Sequence, residues 1–247
     1  MRASDETISQ LKSHWRDSVE VVSDQKRGLS APPREKEPDR AEGPAIPLTP
    51  PEELEVPSVP VWDAIRSRRS HRRFANEPIE LDQLATLLYA TQGVRKDAGK
   101  ALFRTVPSGG ARQPFESYVF TRRVQGLGAG LYWYRSTEHA LYPVFAASPG
   151  DDERFDAAVN GQLWNAAAYL VWSALPYRSE WRYPGRAGKL INLDAGHVMQ
   201  NAYLICESLG LGTCAIGAYD QQLLDAFLGV DGQEELAVYA APIGTLP

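Results

Sequence analysis

The chain has little cysteine: of 247 residues, only Cys206 and Cys214. Neither stands at a metal-ligand spacing. No disulfide framework and no zinc site is implied, and both read as small core residues. Long apolar runs are missing too. None reaches the roughly 18 residues of a membrane span. The polar stretch Met1 to Gln10 lacks a signal-peptide core, so a cytoplasmic protein without a membrane partner is the expectation. Positive charge is in deficit: 26 Lys and Arg against 31 Asp and Glu leave a net charge of −5. Nucleic-acid binding calls for a basic stripe over more of the chain, and this background speaks against it. No segment repeats, and no G-x-G-x-x-G pattern follows a predicted strand. What remains is ordinary globular composition, 43% hydrophobic and 23% charged. That suffices for one sizeable core, or for one domain plus a tail.

The scarce cations are concentrated. Arg68 to Arg73 reads RRSHRR, with Phe74 after it. With Arg66 counted, five arginines fall in eight residues. Arginine offers planar, paired, charge-assisted donors and Ser70 adds a neutral one, a set suited to a phosphate. A solvated basic face is the competing explanation.

Residues 1–57 look unlike the rest. Nine of the 18 prolines fall between Pro32 and Pro60. The run Ala31-Pro-Pro-Arg-Glu-Lys-Glu-Pro-Asp-Arg40 is charged and lacks large apolar residues, so it buries too little to offset its ordering entropy. A Pro-rich, mobile or extended arm is expected, either disordered or wrapped on another subunit, followed by one domain over residues 58–247. Inside the arm, Ile8, Leu11, Trp15, Val19 and Val22 recur at helical spacing and predict a short helix.

In the domain, Val61, Trp62 and Ile65 predict a short helix before the arginine cluster. Leu81, Leu84, Leu87 and Leu88 predict a second, stopped by Gly93. Residues 94–105, polar and basic, predict a loop. Ser117–Thr121, Gly130–Tyr134 and Ala140–Val144 read as strands, the last two as a hairpin around Ser136–His139. Asp151–Ala168 reads as a helix and Tyr169–Ala174 as a buried strand. Gly188–Leu209 reads as a long core or interface helix. Thr213–Gly217, Gln221–Leu228 and Leu236–Ile243 follow as strand, helix and strand. Helices and strands without a βαβ repeat predict an α+β fold.

Pro107-Ser-Gly-Gly-Ala-Arg-Gln-Pro114 sets paired glycines after Pro-Ser. They allow backbone N–H groups to approach a ligand, or simply make a turn. Leu209-Gly-Leu-Gly-Thr-Cys-Ala-Ile-Gly217 ends a buried strand at a glycine. With the arginine cluster, in this order, these segments resemble the FMN-dependent nitroreductase superfamily. More narrowly they are similar to its SagB-type (ThcOx/McbC-like) dehydrogenase branch. Glu116-Ser-Tyr-Val, Gly130-Leu-Tyr-Trp-Tyr and Leu193-Asp-Ala-Gly-His-Val-Met-Gln-Asn201 extend the likeness, over about residues 46–246.

The resemblance implies a nitroreductase-like fold, a central mostly antiparallel sheet flanked by helices, and a homodimer with FMN at the subunit interface. It implies that Arg68, Arg69, Ser70 and Arg72 hold the FMN phosphate and ribityl chain. Pro107, Ser108, Gly109 and Arg112 would lie along the flavin ring, Arg112 near its N1 and C2 carbonyl. Ile216, Gly217 and Ala218 would pack beside the ring near N5. Ala111 stands where many nitroreductases have Asn. No Lys or Arg follows the last predicted strand, Ile243-Gly-Thr-Leu-Pro247, so the phosphate charge rests on the first cluster.

The branch oxidises azoline rings in modified peptides, which implies a small-molecule or modified-peptide substrate and a biosynthetic partner protein. Trp181-Arg182-Tyr183 occupies the place of a Lys-Tyr pair that assists proton removal. Arg182 cannot be a general base, because arginine keeps its proton. Tyr183 can act beside a cation such as Arg178, Arg182 or Arg186. Arg182 would then hold Tyr183 or clamp an anionic substrate; a structural lid is the other reading of this loop. His197, with Asp194 at i−3, reads as a core histidine bonded to a carbonyl or to Asp194. The alternatives for the whole chain are an NAD(P)H-dependent nitro or quinone reductase and a flavin-free, non-catalytic dimeric partner in a biosynthetic complex.

Overall fold

A computed structural model describes residues 4–13 and 21–247. In chain order the elements are helix α1 (Asp5–Leu11), strand β1 (Ile46–Pro47), α2 (Val61–Ser67), β2 (Ile79–Glu80), α3 (Leu81–Gln92), β3 (Val94–Asp97), β4 (Leu102–Arg104), β5 (Phe115–Thr121), β6 (Val124–Gln125), β7 (Gly130–Arg135), β8 (Ala140–Ala146), α4 (Asp151–Ala158), β9 (Ala168–Ala174), α5 (Tyr177–Glu180), α6 (Ala187–Leu209), β10 (Leu211–Thr213), α7 (Gln221–Leu228) and β11 (Leu236–Thr245).

The apolar run expected to be a buried strand is β9. It lies between β5 and β11 in a seven-stranded sheet of order β1-β8-β7-β5-β9-β11-β10. Every pairing in that sheet is antiparallel. Side chains of a strand alternate between faces, and each face here has its own cover. Leu170 and Trp172 join Val119, Ile243 and the inward residues of α3 and α6, among them Leu84, Leu88, Ile191, Val198 and Met199. Tyr169 and Val171 face the other way, with Phe120, Phe155 of α4, and Leu224 and Phe227 of α7. Both faces are dry, so β9 shows no polar alternation. No helix among the described residues is long and apolar enough to cross a membrane.

Some expectations need correction. Residues 94–105 are a β3–β4 hairpin rather than a loop; Ala98 N–H bonds the Ala101 carbonyl (3.0 Å), and the Asp97 carboxylate holds Gly99 N–H (2.7 Å). Local turn bonding carries that ribbon despite its polar composition. The helix expected over 151–168 stops at Ala158. Asn160 and Gly161 take positive φ and end it, and Trp164 and Asn165 do the same further on; the apolar spacing persists, but the backbone has left the helix. The strand expected over 213–217 is β10 plus a single bridge, Ile216 to Ala240. The helix expected from Ile8 to Val22 is observed as α1, Asp5–Leu11, capped by Ser4 and ending at Lys12; Val22 is not helical. Trp15 and Val19 lie outside the described residues. In α2, Val61, Trp62 and Ile65 point outward and Ala64 is the buried residue.

The Pro-rich segment beyond Ser23 runs along the domain: β1 pairs with β8 and Leu48 is buried in the core, and ahead of them polar bonds tie the segment down. Gln25 N–H bonds the Trp181 carbonyl (2.9 Å), and Trp181 Nε1 bonds the Leu29 carbonyl (3.1 Å). Glu35 is buried and accepts from Ser136 N–H (2.7 Å) and Ser136 Oγ (2.6 Å), with Arg104 at 3.6 Å. Lys36 N–H bonds Glu116 (3.1 Å) and Lys36 Nζ pairs with Glu235 (2.5 Å), which also takes the Ser173 and Tyr118 hydroxyls. At the centre, the buried Arg178 donates to the Glu116 carboxylate (2.5 Å), the Pro33 carbonyl (2.9 Å) and the Gln113 carbonyl (3.5 Å). Glu116 takes Trp133 Nε1 as well (2.9 Å).

Removing one partner of a buried ion pair leaves the other charge uncompensated. Arg178→Met should therefore lower the unfolding free energy by about 3–5 kcal/mol in a urea titration. A loss below about 1 kcal/mol, the scale of an exposed pair, would show that Glu116 is not isolated from water.

Candidate active site

The arginine segment follows α2 and runs beside the edge of the sheet. His71 N–H bonds the Thr213 carbonyl (2.9 Å) and Ala75 N–H bonds the Thr245 carbonyl (3.0 Å). Glycine makes this approach possible. A Cβ on Gly212 would stand 3.0 Å from His71 Cβ, and one on Gly244 would stand 2.9 Å from the Phe74 ring. The first and third glycine and arginine segments of the sequence thus meet in space. Tyr203 of α6 joins them: its hydroxyl bonds Ser70 Oγ (2.8 Å) and accepts Ala215 N–H (2.9 Å), and the Arg68 guanidinium lies 5.0 Å above its ring. Arg69 donates to the carbonyls of Arg66, Ser67 and Arg68, each at 2.9 Å. Arg72 stacks 5.8 Å from the Trp164 ring. Among the described residues no carboxylate lies within ion-pair distance of Arg68, Arg69 or Arg72. Three guanidinium groups and a hydroxyl therefore lie along one segment without a countercharge, a donor set that fits a phosphate.

The Pro107–Arg112 loop sits elsewhere on α6. Gly109 N–H reaches both oxygens of Asp194 (3.1 Å each), and Ser108 Oγ accepts Gln113 N–H (3.0 Å). The Gly109 amide is thus spent on the protein and is not free for a ligand. Gly110, Ala111 and Gln113 all have positive φ, a conformation that costs a non-glycine residue energy and marks an over-determined loop. At Gly110 a side chain would also collide with the Tyr183 hydroxyl. Arg112 is buried, only 8% exposed, and lies 4.9 Å above the Trp181 ring. Its Nε has no hydrogen-bond partner. Burial, and then the charge of Arg182, depress its pKa below the usual arginine value. Arg182 in turn lies 5.4 Å from the Tyr183 ring.

The strand end behaves differently from the expectation. Ile216 is buried and exchanges both backbone bonds with Ala240 (2.8 and 3.1 Å), so its N–H is taken. Gly217 and Ala218 are exposed, and the Ala218 carbonyl accepts from Gln162 (2.7 Å). His197 is not a core residue. Its side chain is 48% exposed, with Nδ1 4.0 Å from Asp194 Oδ1. No group of three or more His, Cys, Asp or Glu among the described residues could hold a metal.

Tyr203 carries no signal in the sequence, Asp194 is read there only as a partner of His197, and Arg178 only as a cation beside Tyr183. Asp194 and Tyr203 belong to α6, where periodicity reports burial but not which polar group reaches which loop. Their places on the helix have a consequence. At about 100° per residue, the step from Asp194 to Tyr203 leaves them on opposite sides of α6, about 13 Å apart along its axis. One chain therefore holds the glycine loop and the arginine segment on opposite sides of α6. Val61, Trp62 and Ile65 of α2 and Leu193 of α6 are large apolar side chains 49% to 68% exposed.

The Nitroreductase family model matches residues 65–245. Over 170 residues the chain is 33% identical to MJ1384 of Methanocaldococcus jannaschii, a protein named as a nitroreductase, covering 68% of this chain and 84% of that one. Over 147 residues it is 28% identical to the trifolitoxin-processing protein TfxB of Rhizobium leguminosarum bv. trifolii, covering 58% of this chain and 39% of TfxB. The chain thus spans well under half of that relative. Among solved structures, a Ralstonia eutropha JMP134 protein described as a nitroreductase matches with a TM-score of 0.68 at 27% identity, covering 89% of this chain and 96% of that one. A chain of the E. coli microcin synthetase McbBCD complex, solved with truncated pro-MccB17 bound, matches with a TM-score of 0.62, covering 98% of this chain and 91% of that one. Its 18% identity makes this a likeness of fold.

Asp194 yields a pH test. Burial raises its pKa, against the lowering effects of Ser108, the Gly109 N–H and His197. A raised carboxylate binds more protons folded than unfolded, so its contribution to stability falls as pH climbs from the ordinary carboxylate value through the raised one. Relative to Asp194→Asn, the wild-type Tm should decline across that window. Parallel Tm curves for the two proteins would show that Asp194 does not titrate this way.

Proposed function

Because this chain belongs to the nitroreductase family, we propose that it is an FMN-dependent oxidoreductase of the SagB-type branch that takes two electrons from an azoline-like heterocycle or related precursor during natural-product maturation. The α+β fold with its antiparallel central sheet is that of the family. The observation that carries the reading is Arg112: a buried guanidinium beside a glycine loop, with an orphaned Nε and no carboxylate partner among the described residues. Its place in the loop fits a flavin, whose ring gains negative charge at one edge on reduction.

FMN, when bound, supplies the two-electron acceptor; the protein supplies position and electrostatics. Arg68, Arg69, Ser70 and Arg72 would hold the phosphate and ribityl chain, and Pro107, Ser108, Gly109 and Arg112 would line the ring. Gly217 and Ala218, exposed at the strand end, would face it from the other side, with Ile216 behind them. In this role Gly109 acts through its shape, since its N–H belongs to Asp194. Arg112 stabilises charge that develops beside the loop, and its burial strengthens that effect. Tyr183, with its hydroxyl against Gly110, would, as its phenolate, accept a proton from a substrate lying on the loop. Arg182 keeps its own proton and fixes the phenol through its ring.

The opposite placement of Asp194 and Tyr203 on α6, with the exposed apolar face of α2, supports a homodimer whose site takes its arginine segment from one chain and its glycine loop from the other. Likeness to TfxB and to the McbBCD complex supports a modified-peptide substrate and a biosynthetic partner protein. The name of MJ1384 favours a second reading, an NAD(P)H-dependent nitro or quinone reductase on the same site.

An absorbance spectrum of the purified protein, followed by anaerobic NADPH and NADH, separates the readings. A flavin band that persists fits the dehydrogenase; bleaching within seconds fits the reductase; no band even after added FMN rules out both. In the flavin-bearing protein, Arg112→Ala should slow flavin reduction by about a hundredfold. An unchanged rate would remove Arg112 from the mechanism.

A further inference from the structure

We propose that the substrate of this site carries a carboxylate, bound by Arg182 beside the Tyr183 phenol. The inference rests on the functional reading above and narrows its substrate class. It starts from how this chain treats buried arginines. Among the described residues three are buried: Arg104, Arg112 and Arg178. Arg178 has Glu116 at 2.5 Å and Arg104 has Glu35 at 3.6 Å. Arg112 has no acidic partner among the described residues, and its Nε bonds nothing. A buried charge without a countercharge is costly, and an anionic ligand would offset that cost.

One anion does not suffice. Arg182, exposed at the same place, also lacks an acidic partner among the described residues. Trp181, which stacks on Arg112, directly precedes Arg182, whose own guanidinium lies over Tyr183. The Tyr183 hydroxyl rests on Gly110, two residues before Arg112. The Arg182 guanidinium thus lies over the phenol, and its charge acts on Arg112. Two like charges held together without an acid raise the energy of the empty site and favour anions in it. The flavin phosphate is assigned to the arginine segment, on the far side of α6 in each chain, and reduction of the ring adds one negative charge near the loop. That charge answers Arg112. Arg182 remains, and its planar fork fits a carboxylate. Trp181 adds an aromatic face beside it.

The test is calorimetric titration of the full-length protein, as purified and after addition of FMN, with benzoate, its neutral isostere benzamide, and phenyl phosphate. Benzoate should bind at least about tenfold tighter than benzamide, and Arg182→Gln should abolish that preference while leaving benzamide affinity unchanged. Equal affinities for benzoate and benzamide, or a preference that survives Arg182→Gln in a protein whose Tm is unaltered, overturns the proposal. Tighter binding of phenyl phosphate than benzoate overturns the choice of a carboxylate. The flavin spectrum keeps the two questions apart. Bound flavin without a benzoate preference leaves the oxidoreductase reading standing and this inference fallen; a benzoate preference in protein that takes up no FMN does the reverse.

Discussion

The contact between Arg178 and Glu116 holds the candidate site together. Both side chains are buried, and their 2.5 Å pair sits where four parts of the chain converge. Arg178 belongs to α5, which leads directly into Trp181, Arg182 and Tyr183. Its other donors reach Pro33 in the N-terminal segment and Gln113 at the end of the glycine loop. Glu116 anchors β5 and takes Lys36 and Trp133 as further donors. A guanidinium has five donors in a fixed fork, so one residue can set the loop, the catalytic candidates and the strap in register. Lysine, a single point charge, could not.

The long helix α6 has a different part. It covers one face of the sheet with Ile191, Val198, Met199 and Cys206, and its polar residues reach outward to both halves of the site. Asp194 takes the glycine loop and Tyr203 takes the arginine segment. The helical repeat sets these on opposite sides of one rod. In the proposed dimer, the same repeat explains why the site would need two chains: α6 separates what a single ligand would have to join.

Much of this was legible in the sequence. The continuous apolar run of β9 announced burial on both faces, and Leu81 to Leu88 announced α3. The arginine cluster, the glycine loop and the strand end at Gly217 were recognisable as segments, and the family they suggested is the one that matches. Other features were not legible. The hairpin at 94–105 rests on turn bonds that composition does not report. Two left-handed residues cut α4 short although its apolar spacing continues. The run from Ala31 to Arg40 lacks large apolar residues, and charged and backbone bonds to distant partners such as Glu116 tie it down, while Leu48 further on is buried in the core.

Local chemistry belongs to the sequence alone: which stretches alternate, which residues break a helix, where cations collect, and that Arg182 cannot give up its proton. Tertiary structure decided which of these groups have partners. Gly109 N–H, expected to face a ligand, is bonded to Asp194, 85 residues away. His197, expected in the core, lies near the surface. Of the three arginines buried among the described residues, two have a glutamate there and Arg112 does not. The reason is distance along the chain. A side chain's partner is set by how the sheet and helices bring remote segments together, and no spacing pattern within one segment carries that information.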